Sequence, residues 1–475
     1  MITDDPDAVY ARVTPRSGGQ IAAEDAGEVS TPAEQASVDI SAAVPFGRQE
    51  PDRPGSASRA VASWLGRRFD VEVGPVAHGG HCVARHEGRV VFVRHALPGE
   101  HVTVQVTEDR HSGYCRADAV EIHQTAAGRV PPPCPFAGPG KCGGCDWQHV
   151  DHRSQRGLKA DVLREQLLRL GGLHESEVPV DLAVEEVPGG TLRWRTRAGF
   201  AVDRRGRIGM HPHRSHRVLP IPDCPITAIP VLDSRVLNRR WPGAGGIEVA
   251  ADSYGRTAVR QLDRRGRVRS SGGAKQLREQ AAGRTWQVSS GGFWQVHPGA
   301  AEILVDAVRA AAAVQPGERV LDLYAGVGLF GGVLAEDVGP NGSVVCIESS
   351  ATAVSDAQVN LAETSWASAR VGHVDAELVR AEVATDRPDV IVLDPPRAGA
   401  GRAVCQALAE SEARLIYVGC DPAALARDIA TLRSAGYRLA GLRAFDLFPM
   451  THHMEAVALL QSPGTTEASR RIVER

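Results

Sequence analysis

The chain has 475 residues, which is too long for a single hydrophobic core and suggests about two to four domains. A hydrophobic share of 43%, a charged share of 23% and a net charge of -3 are ordinary for a globular protein, and no apolar run reaches the roughly 18 residues of a membrane span. The acidic start lacks the regions of a secretory signal, so a cytoplasmic location is expected. Nine cysteines, an odd number, favour metal ligation and one catalytic thiol over a disulfide framework.

The first two predicted regions are an extension and a small barrel. Residues 1–64 are rich in Ala, Ser, Gly and Pro and poor in aromatic side chains, which predicts disorder. Residues 65–126 carry short β-branched runs broken by glycine, which predicts a five-stranded OB-type barrel with a hairpin turn at His86-Glu87-Gly88. Such barrels often bind oligonucleotides.

The central region, residues 127–285, combines a cysteine cluster, a helix and many short strands. Apolar side chains at helical spacing predict the helix from about Arg156 to Leu170. Strand periodicity then places Arg193, Arg195 and Arg197 on one face. This arginine-rich stretch is either a solvated edge or a surface that contacts phosphates. The arginines that follow, opposed only by Asp203, are Arg204, Arg205, Arg207, Arg214 and Arg217.

Residues 286–475 alternate strands with helices, which predicts an α/β domain built on a doubly wound parallel sheet. Ligands bind such sheets beyond the carboxyl ends of the strands, so the residues that follow each strand are the candidates for chemistry. The predicted strands are Arg319–Leu323, Val344–Glu348, Arg370–Val374, Asp389–Leu393, Arg414–Val418, Tyr437–Asp446 and Glu455–Leu460.

A glycine turn after the first of these strands predicts a nucleoside site. Gly326 and Gly328 form the turn, and Glu348, at the end of the second strand, has the position and charge to bind two ribose hydroxyls. The third glycine of the dinucleotide fingerprint is absent, so S-adenosylmethionine is favoured over NAD. Asp375, after the third strand, is a candidate acceptor for the adenine amino group.

Three further strand ends carry reactive groups. Asp394 is held by a rigid Pro-Pro turn. Cys420 lies at a strand-to-helix junction, where a helix N-terminus can lower the pKa of a thiol and create a nucleophile. Glu455 begins an apolar strand, where partial burial would raise the pKa of its carboxyl and suit it to proton abstraction.

The remaining cysteines form a candidate metal site. Cys134, Cys142 and Cys145 have C-x7-C-x2-C spacing, and Cys224 is an isolated fourth. Four thiolates suit either tetrahedral zinc or an iron–sulfur cluster, and spacing alone leaves both open. The pattern differs from the C-x3-C-x2-C of radical S-adenosylmethionine enzymes.

From about residue 68 to 461 the chain resembles the RNA uracil-C5 methyltransferases that carry a TRAM domain and a 4Fe–4S cluster. It departs from the family pattern in its first cysteine spacing (C-x7-C for C-x5-C), in Ala325 for a common Cys, and in Gly-Cys-Asp-Pro for Ser-Cys-Asn-Pro. The motifs that carry the resemblance are Phe293-Trp294-Gln295-Val296, DLYAGVG, Asp394-Pro395-Pro396-Arg397, Gly419-Cys420-Asp421-Pro422 and Phe448-Pro449-x-Thr451-x-His453-x-Glu455.

The resemblance implies a Rossmann-like class I methyltransferase domain, a TRAM barrel and a β-rich iron–sulfur domain, in a monomer that acts on tRNA or ribosomal RNA. It implies Cys420 as the nucleophile and Glu455 as the general base. The S-adenosylmethionine site would include Gln295, Tyr324, Glu348 and Asp394, and the cluster would be held by Cys134, Cys142, Cys145 and Cys224.

Three competing interpretations fit the residues less well. An RNA cytosine-C5 methyltransferase typically uses two active-site cysteines, and Cys420 has no partner in the Asp394 loop. An amino-directed methyltransferase would have an aromatic residue where Arg397 stands. A non-catalytic RNA-binding iron–sulfur protein would leave Cys420 and Glu455 without a role.

Overall fold

The computed structural model describes residues 63–109 and 113–463, so the extension predicted over 1–64 lies almost wholly outside the described residues. From Trp64 onward the described residues belong to one compact unit. None of their helices combines the length and the hydropathy that crossing a bilayer requires.

The first region is the predicted five-stranded barrel. Its strand order is β1-β4-β5-β3-β2, with β3 and β5 parallel and the other pairs antiparallel. Glu87 and Gly88 have φ values of 46° and 80°, so the predicted hairpin turn is confirmed, with the positive φ angles of a tight type I′ connection. The strands are β1 (Arg68–Glu72), β2 (Cys82–His86), β3 (Arg89–Arg94), β4 (His101–Asp109) and β5 (Tyr114–Gln124).

The central region contains a six-stranded antiparallel sheet of order β12-β11-β10-β7-β8-β9 and a separate β13–β14 hairpin. Its elements are α1 (His152–Arg169), β6 (Val184–Glu185), β7 (Arg197–Val202), β8 (Ile208–Met210), β9 (Leu219–Pro220), α2 (Ile229–Asp233), β10 (Gly246–Ala251), β11 (Thr257–Leu262), β12 (Val268–Gly273), β13 (Gln276–Ala281) and β14 (Arg284–Ser289).

The prediction that Arg193, Arg195 and Arg197 share one exposed strand face is wrong. Only Arg197 lies in a strand, and Arg193 has a φ of 60°, which interrupts extended backbone. The Arg197 side chain is buried and donates to Glu279 Oε1 at 2.8 Å, while Arg193 forms a two-pronged pair with Asp223. Paired with carboxylates in this way, Arg193 and Arg197 have structural roles.

The C-terminal region is built on an eight-stranded sheet of order β17-β16-β15-β18-β19-β21-β20-β6, with helices in its connections. Its elements are α3 (Ala300–Ala312), β15 (Arg319–Leu323), α4 (Leu329–Val338), β16 (Ser343–Glu348), α5 (Ala351–Asn360), β17 (Ala367–Val371), α6 (Ala376–Asp386), β18 (Val390–Leu393), α7 (Arg402–Ala409), β19 (Arg414–Gly419), α8 (Pro422–Ser434), β20 (Arg438–Phe445) and β21 (Glu455–Gln461).

The prediction of an all-parallel sheet is corrected at one edge. Strands β15 to β19 are parallel, but β21 is antiparallel to both β19 and β20. Only residues 446–454 join β20 to β21, which is shorter than the dozen or so residues of a parallel crossover. The third predicted strand also lies earlier, at Ala367–Val371, because the chain leaves the sheet at Gly372.

Helix α1 joins two hydrophobic cores. Leu158 and Val162 pack with the barrel, whereas Leu163 and Leu167 pack with the C-terminal sheet, to which β6 adds a strand beside β20. The apolar stripe that predicted this helix is therefore divided between the barrel and the C-terminal region.

Candidate active site

The glycine turn after β15 forms an open space at the carboxyl edge of the sheet. Tyr324 has a φ of 60°, a conformation uncommon for a bulky residue and frequent at functional sites, and Gly326 and Gly328 follow with φ values of 55° and 84°. A Cβ atom on Gly326 would meet nothing within 4 Å, whereas one on Gly328 would touch Ala357. Gly328 therefore serves helix packing, and Gly326 leaves room for a ligand to approach the backbone.

Three carboxyl groups face one another at this edge. Burial, with smaller contributions from Asp394 and Glu348, raises the pKa of Asp322 to about 7. Burial and Glu348 likewise raise the pKa of Asp394 to about 7. Asp322 Oδ2 accepts from Gly331 N at 2.8 Å, but its buried Oδ1 has no hydrogen-bond partner among the described residues. A ligand with hydroxyl or ammonium donors would relieve this repulsion.

Glu348 remains available as an acceptor. Its Oε1 accepts from Ser350 N at 2.7 Å and its Oε2 accepts from Gly326 N at 3.1 Å. Oε1 also accepts from Ser349 Oγ at 3.1 Å. These bonds fix the carboxylate at the end of β16, and Oε2 keeps a second lone pair for a ribose hydroxyl.

The other predicted cofactor residues lie around this edge with different degrees of support. Gln295 is buried in the loop between β14 and α3. The next residue of this loop, Val296, accepts two hydrogen bonds of 2.9 Å at its carbonyl oxygen, from the backbone N and the hydroxyl of Thr196. Asp375 is exposed and caps α6 through a 2.9 Å bond from Leu378 N. It thus has a structural role, and its contact with adenine stays a prediction.

Cys420 and Glu455 come together through strand pairing. Gly419 on β19 is opposite Ala456 on β21, so the next position along this register sets Cys420 beside Glu455. Glu455 is buried, and its Oε1 has no hydrogen-bond partner among the described residues. Burial and then Asp394 raise the pKa of Glu455 well above its usual range, which agrees in direction with the prediction.

The expectation that a helix N-terminus lowers the pKa of Cys420 is wrong. Burial, followed by the negative charges of Glu455 and Asp394, raises the pKa of the Cys420 thiol well above its ordinary value. The start of α8 is capped by Asp421, whose Oδ1 accepts from Ala424 N at 2.8 Å. The carboxylate partly offsets the positive end of the helix dipole, so this end does little to stabilise a thiolate.

The sequence analysis did not assign two residues near Cys420 to the site. The positive charge of Arg397 opposes the raised pKa values of both Cys420 and Glu455, although the sequence analysis used Arg397 only within a family motif and as an argument against another enzyme class. His78, on the barrel, lies with Nε2 2.9 Å from Asp421 Oδ2. The Pro-Pro-Arg motif could have indicated Arg397, whereas no local pattern indicates His78.

A cavity beside Cys420 is lined by both the barrel and the C-terminal region. The barrel contributes His78, Gly79 and Gly80, and the loop before β21 contributes His452 and His453. A Cβ atom on Gly80 would lie 2.7 Å from His452 Cβ, so the two walls meet closely. The candidate nucleophile therefore faces a small, shared pocket.

The four predicted cluster ligands line a second cavity, under the central sheet. Gly144 N donates to Cys142 Sγ at 3.4 Å, and Gln148 Nε2 donates to Cys145 Sγ at 3.3 Å. Among the described residues, however, no group of three or more histidine, cysteine or acidic side chains is arranged to hold a single metal ion. The structure thus gathers Cys134, Cys142, Cys145 and Cys224 around one space without converging them on one point.

A mainly parallel sheet with an open glycine turn, an acid at the end of the next strand and a thiol beside two carboxyls defines a class I methyltransferase. The family model described as tRNA (Uracil-5-)-methyltransferase matches residues 285–462, and the TRAM domain model matches residues 63–120.

Relatives match over nearly their whole length. An "Uncharacterized RNA methyltransferase" of Streptomyces coelicolor is 47% identical over 87% of this chain and 98% of its own. The 23S rRNA (uracil(1939)-C(5))-methyltransferase RlmD of Halomonas elongata is 36% identical over 88% of this chain and 94% of its own. The chain therefore belongs to the tRNA/rRNA uracil-C5 methyltransferase family with a TRAM domain. It is an S-adenosylmethionine-dependent RNA methyltransferase.

A solved structure shares the fold. The Pyrococcus abyssi tRNA (uracil-54, C5)-methyltransferase, crystallised with S-adenosyl-L-homocysteine, has a TM-score of 0.61 and 21% identity, covering 82% of this chain and 99% of its own.

Proposed function

We propose that the enzyme methylates C5 of one uridine in structured RNA through a covalent bond between Cys420 Sγ and C6 of the base. The observation that carries this proposal is the pairing of β19 with β21, which sets a thiol and a buried carboxyl side by side at the carboxyl edge of the sheet. Because a stacked uridine cannot reach such a pocket, the base must be flipped out of the RNA.

The proposed reaction needs both groups in turn. The Cys420 thiolate adds to C6, and the electron pair of the C5–C6 double bond makes C5 nucleophilic. C5 takes up the methyl group of S-adenosylmethionine as the methyl carbon–sulfur bond breaks, and S-adenosylhomocysteine is the leaving group. Glu455, as the carboxylate, removes the proton from C5, the double bond re-forms, and the Cys420–C6 bond breaks to release the thiolate.

The cofactor is proposed to lie along the acidic edge. Glu348 would accept the ribose hydroxyls beside Gly326, and Asp394, with Gln295 and Tyr324, would line the rest of the site. The open space at Gly326 and the unpartnered Asp322 Oδ1 fit a ligand that carries hydroxyl and ammonium donors. Asp322 is thus an additional candidate, and Asp375 remains a candidate for adenine.

Trapping with 5-fluorouridine RNA tests the nucleophile. Fluorine at C5 cannot be removed as a proton, so the covalent adduct accumulates and its protein residue can be identified by mass spectrometry. We expect the bond at Cys420, no adduct with Cys420→Ala, and normal adduct formation with the control Cys115→Ala, a buried barrel cysteine. A bond on another side chain, or no bond in the wild type, would refute the proposal.

For the RNA, we propose ribosomal RNA, since the Halomonas relative is named a 23S rRNA methyltransferase. Mapping 5-methyluridine in total RNA from a deletion strain tests this, with the wild-type gene and Cys420→Ala as complementing alleles. Loss of one ribosomal 5-methyluridine that only the wild type restores is expected. Loss confined to tRNA would correct the substrate and leave the chemistry intact.

We further propose that Cys134, Cys142, Cys145 and Cys224 hold a 4Fe–4S cluster. Support comes from four thiols around one cavity and from two N–H donors directed at sulfur atoms. A single zinc would place all four sulfurs about 2.3 Å from one point, whereas a cluster spreads its ligands over several metal atoms. When bound, the cluster would tie the 134–145 loop to Cys224 near the central sheet.

Anaerobic purification tests the cluster. We expect a brown protein with about four iron atoms per chain and broad absorbance, as iron–sulfur thiolate centres show. The variant Cys224→Ala should lose that colour, whereas Cys115→Ala should keep it. A colourless protein with one equivalent of zinc would contradict the assignment.

A further inference from the structure

Two turns of the central sheet repeat the same five residues. Asp203-Arg204-Arg205-Gly206-Arg207 joins β7 to β8, and Asp263-Arg264-Arg265-Gly266-Arg267 joins β11 to β12. In both, the aspartate accepts from the backbone N–H groups of the third and fifth residues, and the fifth-position arginine Nε donates to it at 2.8 Å. The glycines have nearly equal φ values, 75° and 77°.

The two turns lie at the same end of the sheet. Gly246, the first residue of β10, is opposite Ala201 near the end of β7 and also opposite Leu262 at the end of β11. The segment before β10 contacts both turns, since Trp241 N donates to Gly206 O at 2.8 Å and Gly245 packs on Arg264. At ordinary strand spacing the turns are separated by roughly 14 Å.

A third turn shows which residues the geometry requires. Asp252-Ser253-Tyr254-Gly255-Arg256 has the same hydrogen bonds and a glycine φ of 76°, at the opposite end of the sheet. Its second and third positions are Ser253 and Tyr254. Arginine at these positions is therefore unnecessary for the turn, and Arg204, Arg205, Arg264 and Arg265 need another explanation.

These four side chains form the core of an exposed cationic surface. Each turn's aspartate is already paired with the fifth-position arginine, so it does not neutralise the positive charges of the arginines at the second and third positions. Among the described residues, none of the four forms an ion pair. Two more exposed arginines, Arg239 and Arg240, belong to the segment between the turns, and Arg240 donates to Arg205 O at 3.2 Å.

We infer that this surface, which we term the arginine end (Arg204, Arg205, Arg239, Arg240, Arg264 and Arg265), binds phosphates of the substrate RNA. Six cations at one end of a sheet contrast with the net charge of -3 of the whole chain, so non-specific basicity does not account for them. The roughly 14 Å between the turns is long enough for contacts with more than one phosphate, and such contacts fix the register of a nucleic acid on a protein. The inference rests on the proposed function, because it concerns the same RNA.

The test measures affinity against salt, with unmodified 23S ribosomal RNA made by transcription as the probe. The variant Arg204→Ser/Arg205→Ser/Arg264→Ser/Arg265→Ser keeps the aspartates, the glycines and the fifth-position arginines, so the turns should fold as the 252–256 turn does. The control is Arg387→Asn, an exposed arginine in a left-handed position after α6.

Removing four phosphate contacts should reduce the slope of log affinity against log salt by about 3. Between 50 and 200 mM salt, the wild type should then lose about 60-fold more affinity than the variant. In methylation assays the defect should appear as a raised KM for RNA with kcat near wild type. Arg387→Asn should match the wild type.

Equal salt slopes for the variant and the wild type would overturn the inference. A variant that lowers kcat at saturating RNA, with KM unchanged, would also overturn it. A wild-type enzyme that methylates no RNA would instead refute the proposed function, so the two failures are distinguishable.

Discussion

His78 on the barrel and Asp421 beside the candidate nucleophile are joined directly, with His78 Nε2 2.9 Å from Asp421 Oδ2 across 343 residues of sequence. The other carboxylate oxygen of Asp421 caps α8. Burial is the largest influence on Asp421 and opposes its ionisation, but His78, Ala424 N and Arg427 together outweigh burial and hold the pKa of that carboxyl below its usual range. One carboxylate thus ties the barrel to the loop that carries Cys420.

We expect His78→Ala to slow adduct formation about tenfold, since small displacements of a reacting atom are costly in rate. As a positioning residue, His78 should affect kcat more than the KM for RNA, and His78→Gln should restore part of the rate because its amide can donate to Asp421. Quench-flow with 5-fluorouridine RNA measures the rate. The control is His123→Ala, an exposed barrel histidine that bonds to Thr103. If His78→Ala changes only KM, the barrel binds RNA without positioning Cys420.

Replacement of the proposed base should trap the intermediate with natural RNA. In Glu455→Gln, thiolate addition and methyl transfer can still occur, but the proton at C5 has no acceptor and the Cys420–C6 bond cannot break. We expect a stable RNA–protein adduct on denaturing gels and turnover reduced by about 10²- to 10⁴-fold. Glu363→Gln, at an exposed glutamate, should release product normally. Rapid release by Glu455→Gln would assign the base to another residue.

Adduct formation should accelerate with pH. Because burial and the Glu455 and Asp394 charges raise the pKa of Cys420, the thiol is protonated at neutral pH and its thiolate fraction grows as pH rises. We expect the rate of adduct formation to rise by about tenfold per unit from pH 7 to 9. Arg397→Met removes a positive charge that lowers the pKa of Cys420, so the rise of the rate with pH should shift to higher pH. A flat profile over this interval would show that the thiolate is already formed.

Much of the C-terminal site was predictable because of one topological rule. Glu348 ends a parallel strand, and Asp394 and Cys420 each follow one, so the order of strands brings them to one edge without any knowledge of side-chain packing. Glu455 was assigned from the cost of a carboxyl in an apolar strand, although its strand is antiparallel, and the pairing of β21 with β19 brings it to the same edge.

Contacts between distant segments were not predictable. His78 approaches Asp421 only through the docking of the barrel, which leaves no local periodicity in the sequence. Arg197 appears in an alternating arginine pattern, yet its partner Glu279 is 82 residues away and makes it a buried ion pair. Patterns report which face of an element is apolar, but they do not report which charges neutralise each other.

Lys159 is a further case, and it gives a test of stability. Its position in α1 suggests a surface lysine, but the side chain is fully buried, with Nζ 2.5 Å from Asp446 Oδ1 and 3.2 Å from the carbonyl oxygen of Phe448. Asp446 Oδ2 also lies 3.0 Å from His152 Nε2. This cluster fixes α1 against the loop that leads to β21 and Glu455.

We expect Lys159→Met to lower the free energy of unfolding by about 3–5 kcal/mol, because Asp446 is left buried beside an apolar side chain. The double variant Lys159→Met/Asp446→Asn should recover most of this loss, since a neutral amide then replaces the buried carboxylate. Arg169→Met, in the same helix, breaks an exposed pair with Glu165 and should cost less than about 1 kcal/mol. Urea unfolding measures all three. A large loss is expected only if the variant leaves a charge buried away from water. If Lys159→Met lowers the free energy of unfolding no more than Arg169→Met does, the Lys159–Asp446 pair does not hold α1 to the C-terminal sheet.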